Sequence, residues 1–323
     1  MKIGIIGAGW IADRMGDTLQ PEPEMRYAIA SRDIARARAF ADKWGFRKAY
    51  GSYEELVSDP EVDLVYIATP HSHHLAHATL ALEHGKAVLC EKAFTANAAE
   101  ARRLIGLAES RGLFITEAIW TRYMPVSLKV KEVLDSGIIG RPRMLQAAIG
   151  YPMEFKERIQ KPELCGGALL DIGVYVINFA RMYFGTDFCS TATGVQMSES
   201  GVDIQESIIL SYPDGRIASL TATAAAASDI KGTICCEKGF LVVDNVNNPS
   251  EFNVYDTDHN LIMTYREEGK RTGYEYQVYA CREALEKGLL ESPYMPHAET
   301  ISIMEQMDSI RKQWGVVYPN DNE

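Results

Sequence analysis

The chain has 323 residues, 46% apolar and 24% charged, an ordinary globular composition with room for two cores. Its formal net charge is −11. Such a surface repels phosphate backbones and anionic lipid heads. Composition therefore argues against nucleic-acid and membrane partners, while leaving room for a local basic pocket around a phosphorylated cofactor.

The N-terminus reads MKIGIIGAGW, an apolar run broken by glycines and soon followed by Asp13 and Arg14, too short for a signal h-region. No stretch reads as approaching the ~18 apolar residues of a spanning helix. Cys90, Cys165, Cys189, Cys235, Cys236 and Cys281 show neither CxxC nor framework spacing and read as buried thiols of a reducing compartment. The expected location is the cytoplasm.

In the first third, strands and helices alternate. Apolar runs at Lys2–Ile6, Arg26–Ala30, Val62–Ala68, Ala87–Cys90 and Leu113–Glu117 fit buried parallel strands. Helical stretches lie between and after them, roughly Ile11–Leu19, Ile34–Trp44, Tyr53–Val57, Leu75–His84 and Ala98–Ser110. Ser52 with Glu55, and Asn97 with Glu100, have the spacing of a cap and its reciprocal acid. Gly45, Gly85 and Gly112 fall where helices should stop. The alternation predicts an α/β domain with a doubly wound parallel sheet over residues 1–120.

Residues 121–323 follow another pattern. A helix near Val126–Asp135, a strand near Arg143–Ile149 and a helix over Leu169–Phe184 come first. Strand-like segments then follow in succession: Ser190–Met197, Gln205–Tyr212, Arg216–Ala225, Gly232–Cys236, Phe240–Asn245 and Phe252–Tyr255. Turns at Pro213-Asp214-Gly215 and Lys238-Gly239 separate some of them, which implies a mainly antiparallel sheet. Helices at about Tyr274–Lys287 and Ala298–Trp314 close the chain, and the last of these can pack back on the N-terminal domain. The small-residue run Thr221–Ala227 suits either a flat face covered by another layer or tight packing against the protein's own helices.

Gly7-Ala8-Gly9-Trp10-Ile11-Ala12 matches G-x-G-x-x-A, directly after a strand and opening a helix. Gly7 permits the tight turn and Gly9 lets the backbone approach a pyrophosphate. Ala12 lets helix and strand pack closely, and the helix N-terminus meets the phosphate charge. At the end of the second strand, where NAD enzymes place an acid for the ribose 2′-OH, stand Ser31 and Arg32. A hydroxyl and a guanidinium suit a 2′-phosphate; Arg32 can equally be a solvated helix-start residue. NADP(H) is the expected cofactor, with NAD(H) the alternative.

Further along stand Ala68-Thr69-Pro70-His71-Ser72-His73-His74 and Gly85-Lys86-Ala87-Val88-Leu89-Cys90-Glu91-Lys92. With the N-terminal GAGWIA, these segments resemble the Gfo/Idh/MocA oxidoreductase family. Glu91-Lys92-Ala93 resembles its Glu-Lys-Pro motif, and Asp171-Ile172-Gly173-Val174-Tyr175 its Asp-x-Gly-x-Tyr/His helix motif. Glu117–Pro125 and Gly166–Asp171 look most like the branch of dimeric dihydrodiol dehydrogenases and NADP-dependent D-xylose 1-dehydrogenases. The resemblance implies a Rossmann domain, a second domain with a large open sheet whose free face makes a homodimer, and hydride transfer to or from a sugar or cyclic diol. It also implies cofactor contacts from Thr69, Pro70, His74, Glu91 and Lys92.

Hydride transfer at a carbinol carbon needs a proton to leave or arrive as well. Lys92 follows the strand Ala87–Cys90, at the carboxyl edge where ligands bind in such sheets. An ammonium partly desolvated beside a cationic ring releases its proton more readily. Asp171 and Tyr175 are four apart on the expected helix and would share a face. Tyr175 can pass a proton through its phenol, and Asp171 can orient a substrate hydroxyl or hold Lys92. Tyr175 also lies on the stripe of Phe179 and Met182, so a core tyrosine is the alternative; an unpaired acid there would be costly, which points Asp171 at a polar cleft.

By resemblance, Lys92 and Tyr175 form the proton-transfer pair with Asp171 in support. Trp120 and Arg122, with Tyr175, suit a sugar or diol, or else belong to a domain junction. Ala93 departs from the motif proline, which would have fixed its own φ and restricted the preceding residue. His71, His73, His74 and His77 lack the Glu of an HExxH pair, and no metal is expected. A non-catalytic regulator that senses cofactor or sugar on the same fold is the alternative function.

Overall fold

The computed structural model describes residues Met1–Asn322. The chain forms two compact units, residues 1–119 with 274–305, and residues 120–273 with 306–323. The first unit runs β1 (Ile3–Ile6), α1 (Trp10–Thr18), β2 (Arg26–Ala30), α2 (Ile34–Trp44), β3 (Lys48–Tyr50), α3 (Tyr53–Ser58), β4 (Leu64–Ile67), α4 (His74–Glu83), β5 (Ala87–Glu91), α5 (Ala98–Arg111) and β6 (Ile115–Ala118). Its strands are all parallel in the order β3-β2-β1-β4-β5-β6. The order reverses between β1 and β4, so the connections leave in opposite directions there and open a crevice at the carboxyl ends. Every residue of β1, β4, β5 and β6 is buried, which is why β1, β4 and the start of β5 read as apolar runs instead of alternating ones, while Glu91, Thr116 and Glu117 are buried polar exceptions in β5 and β6.

Both caps form. Ser52 Oγ accepts the Glu55 N–H at 3.1 Å while the Glu55 carboxylate accepts the Gly51 N–H at 3.0 Å. Asn97 and Glu100 repeat the exchange, with Ala96 as the donor to the carboxylate. The strand β3 was not anticipated. It is three residues long and only half-buried at the sheet edge, so it carries no periodicity to read.

The second unit contains α6 (Pro125–Asp135), β7 (Pro142–Gly150), α7 (Glu157–Gln160), α8 (Val174–Phe184), β8 (Ser190–Met197), β9 (Asp203–Ser211), β10 (Ile217–Thr223), β11 (Gly232–Cys236), β12 (Gly239–Val243), β13 (Glu251–Asp256) and β14 (Leu261–Arg266). Helix α9 (Glu275–Glu286) belongs to the first unit, and α10 (His297–Trp314) starts in the first and ends in the second. The eight strands pair in the order β14-β13-β12-β11-β7-β10-β9-β8. All neighbours are antiparallel except β7 and β10, which run parallel. Strand β14 also escaped the sequence reading: at the exposed edge, its adjacent Leu261 and Ile262 both face solvent and break the alternation.

Helix α8 crosses β7 and β10. Its approach is close enough that a Cβ at Gly232 would come within 2.2 Å of the Phe179 ring. Two expectations need correcting here. Leu169–Phe184 is not one α-helix, because Leu169–Gly173 forms a π-helical turn before α8 begins. And one segment, Pro162–Phe184, is long and apolar enough to cross a membrane by length and composition alone. The physical reason is burial: 89% of its most apolar window lies inside the protein, and a helix covered all round carries apolar residues all round.

Candidate active site

In the first unit the glycine loop lies between β1 and α1. Gly7 has φ +99, and a Cβ there would press on the Ala68 carbonyl oxygen at 2.9 Å, so the turn and the adjoining β4 loop both require glycine. Around Gly9 nothing lies within 4 Å of the Cβ position, which leaves open backbone at the cap of α1. Trp10 and Ile11 open the helix, Trp10 largely exposed, and Ala12 is fully buried against the sheet. A cradle that glycine keeps open, facing a helix N-terminus, fits a pyrophosphate.

Ser31 is buried at the end of β2, its Oγ accepting the Asp33 N–H at 3.3 Å, and Arg32 is exposed beside it. The sequence reading missed Arg36, whose Nη2 donates to the Ala8 carbonyl at 3.0 Å and so ties the first turn of α2 to the glycine loop. It also missed Tyr53. Burial pushes this phenol up, and the charges of Arg32 and Arg36 pull it back. The signal for Arg36 was its position one turn along from Arg32; Tyr53 gave none, because β3, which leads to it, was itself unread.

The end of β4 and the loop after β5 are joined by His74. Its Nε2 lies 2.8 Å from the Thr69 carbonyl and its Nδ1 3.0 Å from that of Ala93. Full burial lowers this imidazole to about 4, outweighing the carbonyl contacts that favour its cation. The neutral ring holds one proton to donate between them. His71 Nε2 meets the Lys92 carbonyl at 3.2 Å, and Glu117 accepts the Phe94 N–H at 3.1 Å. The backbone on both sides of Lys92 is thus pinned by side chains, and the Lys92–Ala93 peptide is cis.

Glu91 is buried, accepts a hydrogen bond from the Tyr66 hydroxyl and stands at the Lys92 amide. Pro70 starts the short turn that carries His71 and His73. Thr69 Oγ1 lies 3.0 Å from His77 Nδ1, and burial lowers the His77 ring to about 4. Among the described residues, no group of three or more His, Cys, Asp or Glu is arranged to hold a metal ion.

In the second unit the Trp120 indole N–H donates to the Tyr175 phenol oxygen at 2.9 Å, both side chains being buried. Gly273, with φ +96, lets the chain pass within contact of the same indole: a Cβ there would lie 3.2 Å from Trp120 Cζ3. Arg122 donates through Nε to Asn178 Oδ1, and Asn178 in turn donates to the Val174 carbonyl at 2.8 Å. Asp171 is buried and pairs with Arg158 of α7 at 3.1 Å. The face-sharing of Asp171 and Tyr175 assumed α-helical spacing, which the π turn replaces with wider i→i+5 bonding. Arg158 and Asn178 were not singled out from sequence; Arg158 lies thirteen residues from Asp171, in a four-residue helix too short to show periodicity.

Residues 1–118 match the model of an oxidoreductase family with an NAD-binding Rossmann fold, and residues 127–242 match the GFO/IDH/MocA C-terminal domain. The chain belongs to the Gfo/Idh/MocA oxidoreductase family. It is 36% identical over 332 residues to the trans-1,2-dihydrobenzene-1,2-diol dehydrogenase of Bos taurus, covering 99% of both chains. The Mus musculus enzyme of that name is 36% identical over 336 residues, again covering 99% of each. Among solved structures, a 3-ketoreductase from Actinomadura kijaniata in complex with TDP-benzene and NADP superposes with a TM-score of 0.84, at 27% identity, with 96% of each chain covered.

Proposed function

We propose that this protein is an NADP(H)-dependent dehydrogenase that moves a hydride between nicotinamide and a carbinol or carbonyl carbon of a cyclic diol or sugar. The observation that carries this reading is the glycine cradle at α1 with a guanidinium anchored to its rim, Arg36 on the Ala8 carbonyl. Gly7, Gly9, Trp10, Ile11 and Ala12 supply the turn and helix start for the pyrophosphate. Ser31, Arg32 and Arg36 supply hydroxyl and cationic partners for a 2′-phosphate. The 3-ketoreductase relative binds NADP, and the full-length relatives act on a dihydrodiol, which supports the same cofactor and a diol or sugar as substrate.

Nicotinamide, when bound, supplies the two-electron chemistry. The chain's own residues handle the proton. Tyr175 is assigned to proton transfer at its phenol oxygen, which the Trp120 N–H holds in place while leaving the phenol proton to point elsewhere. Lys92 is assigned to the same transfer at Nζ, with His71, His74 and Glu117 fixing the backbone that carries it. Asp171, held by Arg158, orients a substrate hydroxyl, and Trp120 offers an apolar wall.

The protein acts in the cytoplasm as a homodimer through the open face of its second sheet. On that face Ile209 and Ile217 are each 44% exposed, and Gln205, Ser207 and Thr221 alternate outward. A panel of trans-dihydrodiols and aldoses, run with NADP and NAD and followed by NADPH fluorescence, tests the functional reading. Turnover is expected with at least one compound, faster with NADP, and strongly lost in Lys92→Ala and Tyr175→Phe. Ligand binding without turnover on any compound would refute it in favour of a regulator.

A further inference from the structure

Strand β9 carries two acids, Asp203 and Glu206, both buried to 1% exposure or less. Asp203 receives the Leu169 N–H at 2.6 Å on Oδ2, at the start of the π turn. A Cβ at Gly167, whose φ is +115, would lie 2.3 Å from its Oδ1. Glu206 reaches the other end of the same turn: a Cβ at Gly173 would lie 2.5 Å from its Oε1 and 3.2 Å from Leu169 Cδ1. Both glycines are therefore hollows that these carboxyl groups occupy.

The two acids are not equivalent. Asp203 is pushed up to about 6 by burial, against the Leu169 and Ala168 amides and the Arg311 guanidinium, which favour its charge. Glu206 is pushed up by burial and further by Asp203, and neither of its oxygens has a hydrogen-bond partner. In the sheet it is flanked by Val195 of β8 and Ala222 of β10, and from the turn it meets Gly173. An apolar side chain of equal size would avoid the cost of burying those oxygens. What an acid adds is a hydroxyl donor when protonated, and the Ala168 carbonyl borders the same hollow, 3.5 Å from the Gly173 Cβ position.

We propose that Glu206, assisted by Asp203, is a positioning residue that seats the π turn and thereby fixes where Asp171 and Tyr175 stand. This rests on the assignment of those two residues to the reaction. Glu206 works in its neutral form: ionisation would place a second charge beside Asp203 and force the turn off the strand. Its loss therefore acts on kcat and leaves cofactor affinity alone, because the glycine cradle belongs to the other unit.

Glu206→Gln, Glu206→Ala and Gly173→Ala are compared with the wild-type full chain. Glu206→Ala is expected to lower kcat about ten- to a hundredfold with NADPH affinity unchanged. Glu206→Gln, neutral and of the same shape, is expected to restore kcat and to flatten the alkaline fall of the wild-type pH profile. Hydrogen exchange over residues 169–175 should quicken in Glu206→Ala and Gly173→Ala, and recover in Glu206→Gln and in the Gly173→Ala/Glu206→Ala pair. An infrared band of a protonated carboxyl should be present in the wild type at neutral pH and missing in Glu206→Gln.

The proposal is overturned if Glu206→Ala keeps kcat within twofold, if Gln is as damaging as Ala, or if that band is absent from the wild type. Should Glu206→Ala fail to fold, Gly173→Ala strains the same contact from the opposite side, and unchanged exchange in that variant would overturn the proposal equally. If the wild type turns over no substrate, the functional reading fails alone, and the exchange and infrared measurements still decide whether Glu206 seats the turn.

Discussion

The two loop glycines can be separated by experiment, because they serve different purposes. Gly9 has φ −93, which any residue adopts, and empty space around its Cβ position. Gly9→Ala loses about 0.5–1 kcal/mol as a poorer helix cap. It recovers about as much from the reduced entropy of the unfolded chain. Folding stability should therefore stay within about 1 kcal/mol of wild type by denaturant titration.

Cofactor affinity should not. A methyl group in the space where a pyrophosphate must meet bare backbone acts as overpacking, about 1–3 kcal/mol. That is about a five- to 150-fold rise in the NADPH Kd, read by fluorescence titration. Gly7→Ala behaves in the opposite way. Its positive φ and the unyielding Ala68 carbonyl 2.9 Å away charge the cost to folding itself, about 2–5 kcal/mol of stability. If Gly9→Ala binds NADPH like the wild type, the open space at that residue is not the phosphate site and the placement of the cofactor is wrong.

If Arg36 meets the 2′-phosphate as proposed, Arg36→Ala should weaken NADPH binding about tenfold and leave NADH binding nearly unchanged; parallel titrations with both cofactors check this. Trp120→Phe removes the N–H that holds the Tyr175 oxygen. It should cost about 1 kcal/mol in stability and lower kcat more than it raises KM for the cofactor, as steady-state kinetics will show.

At the far side of the first unit, burial disfavours the Asp59 charge. The Lys48 ammonium at 2.8 Å, the Tyr50 hydroxyl at 2.6 Å and the Glu61 amide outweigh it, so the carboxyl sits below its ordinary 3.8. A depressed carboxyl stabilises the fold fully above the unfolded value and loses that contribution as pH falls below it. Asp59→Asn should therefore be less stable by about 1–3 kcal/mol at pH 7. It should also lose part of the wild-type decline below about pH 4, which thermal unfolding against pH will reveal.

How far the fold could be read depended on where periodicity survives. Strands β1 and β4, and β5 up to Cys90, announced themselves because burial on both faces leaves mostly apolar residues. The helix read at roughly Ile34–Trp44 forms with those bounds; Gly45, with φ +71, ends it as its position suggested, and the structure adds the Asp33 cap at its start. Edge strands β3 and β14 were invisible for the converse reason: none of their side chains is buried, so no inward face stands out. The parallel pairing of β7 with β10 could not be inferred either, since it joins segments separated by α8 and two strands, and short turns speak only for neighbours.

The site divides along the same line. On the first unit, cofactor candidates are local to one loop or one strand end, so Gly7, Gly9, Ser31 and Arg32 could be named from short motifs. On the second unit, the residues that hold Asp171 and Tyr175 arrive from elsewhere in the chain: Arg158 from α7, Trp120 from beyond β6, Asp203 and Glu206 from β9. A buried acid in a strand whose other inward positions are Ile204, Ile208 and Leu210 breaks the apolar pattern, and that break was legible. What the acids of this strand serve was not, because their meaning lies in two glycines far from them in sequence, in a segment where a third is also tightly packed. Gly166 yields to the Ile159 carbonyl, Gly167 to Asp203 and Gly173 to Glu206. The spacing of those glycines marks a segment that must lie close against others. It follows that the motif around Asp171 is as much a packing requirement as a chemical one, and that alanine at any of the three should damage the reaction without touching a reacting atom.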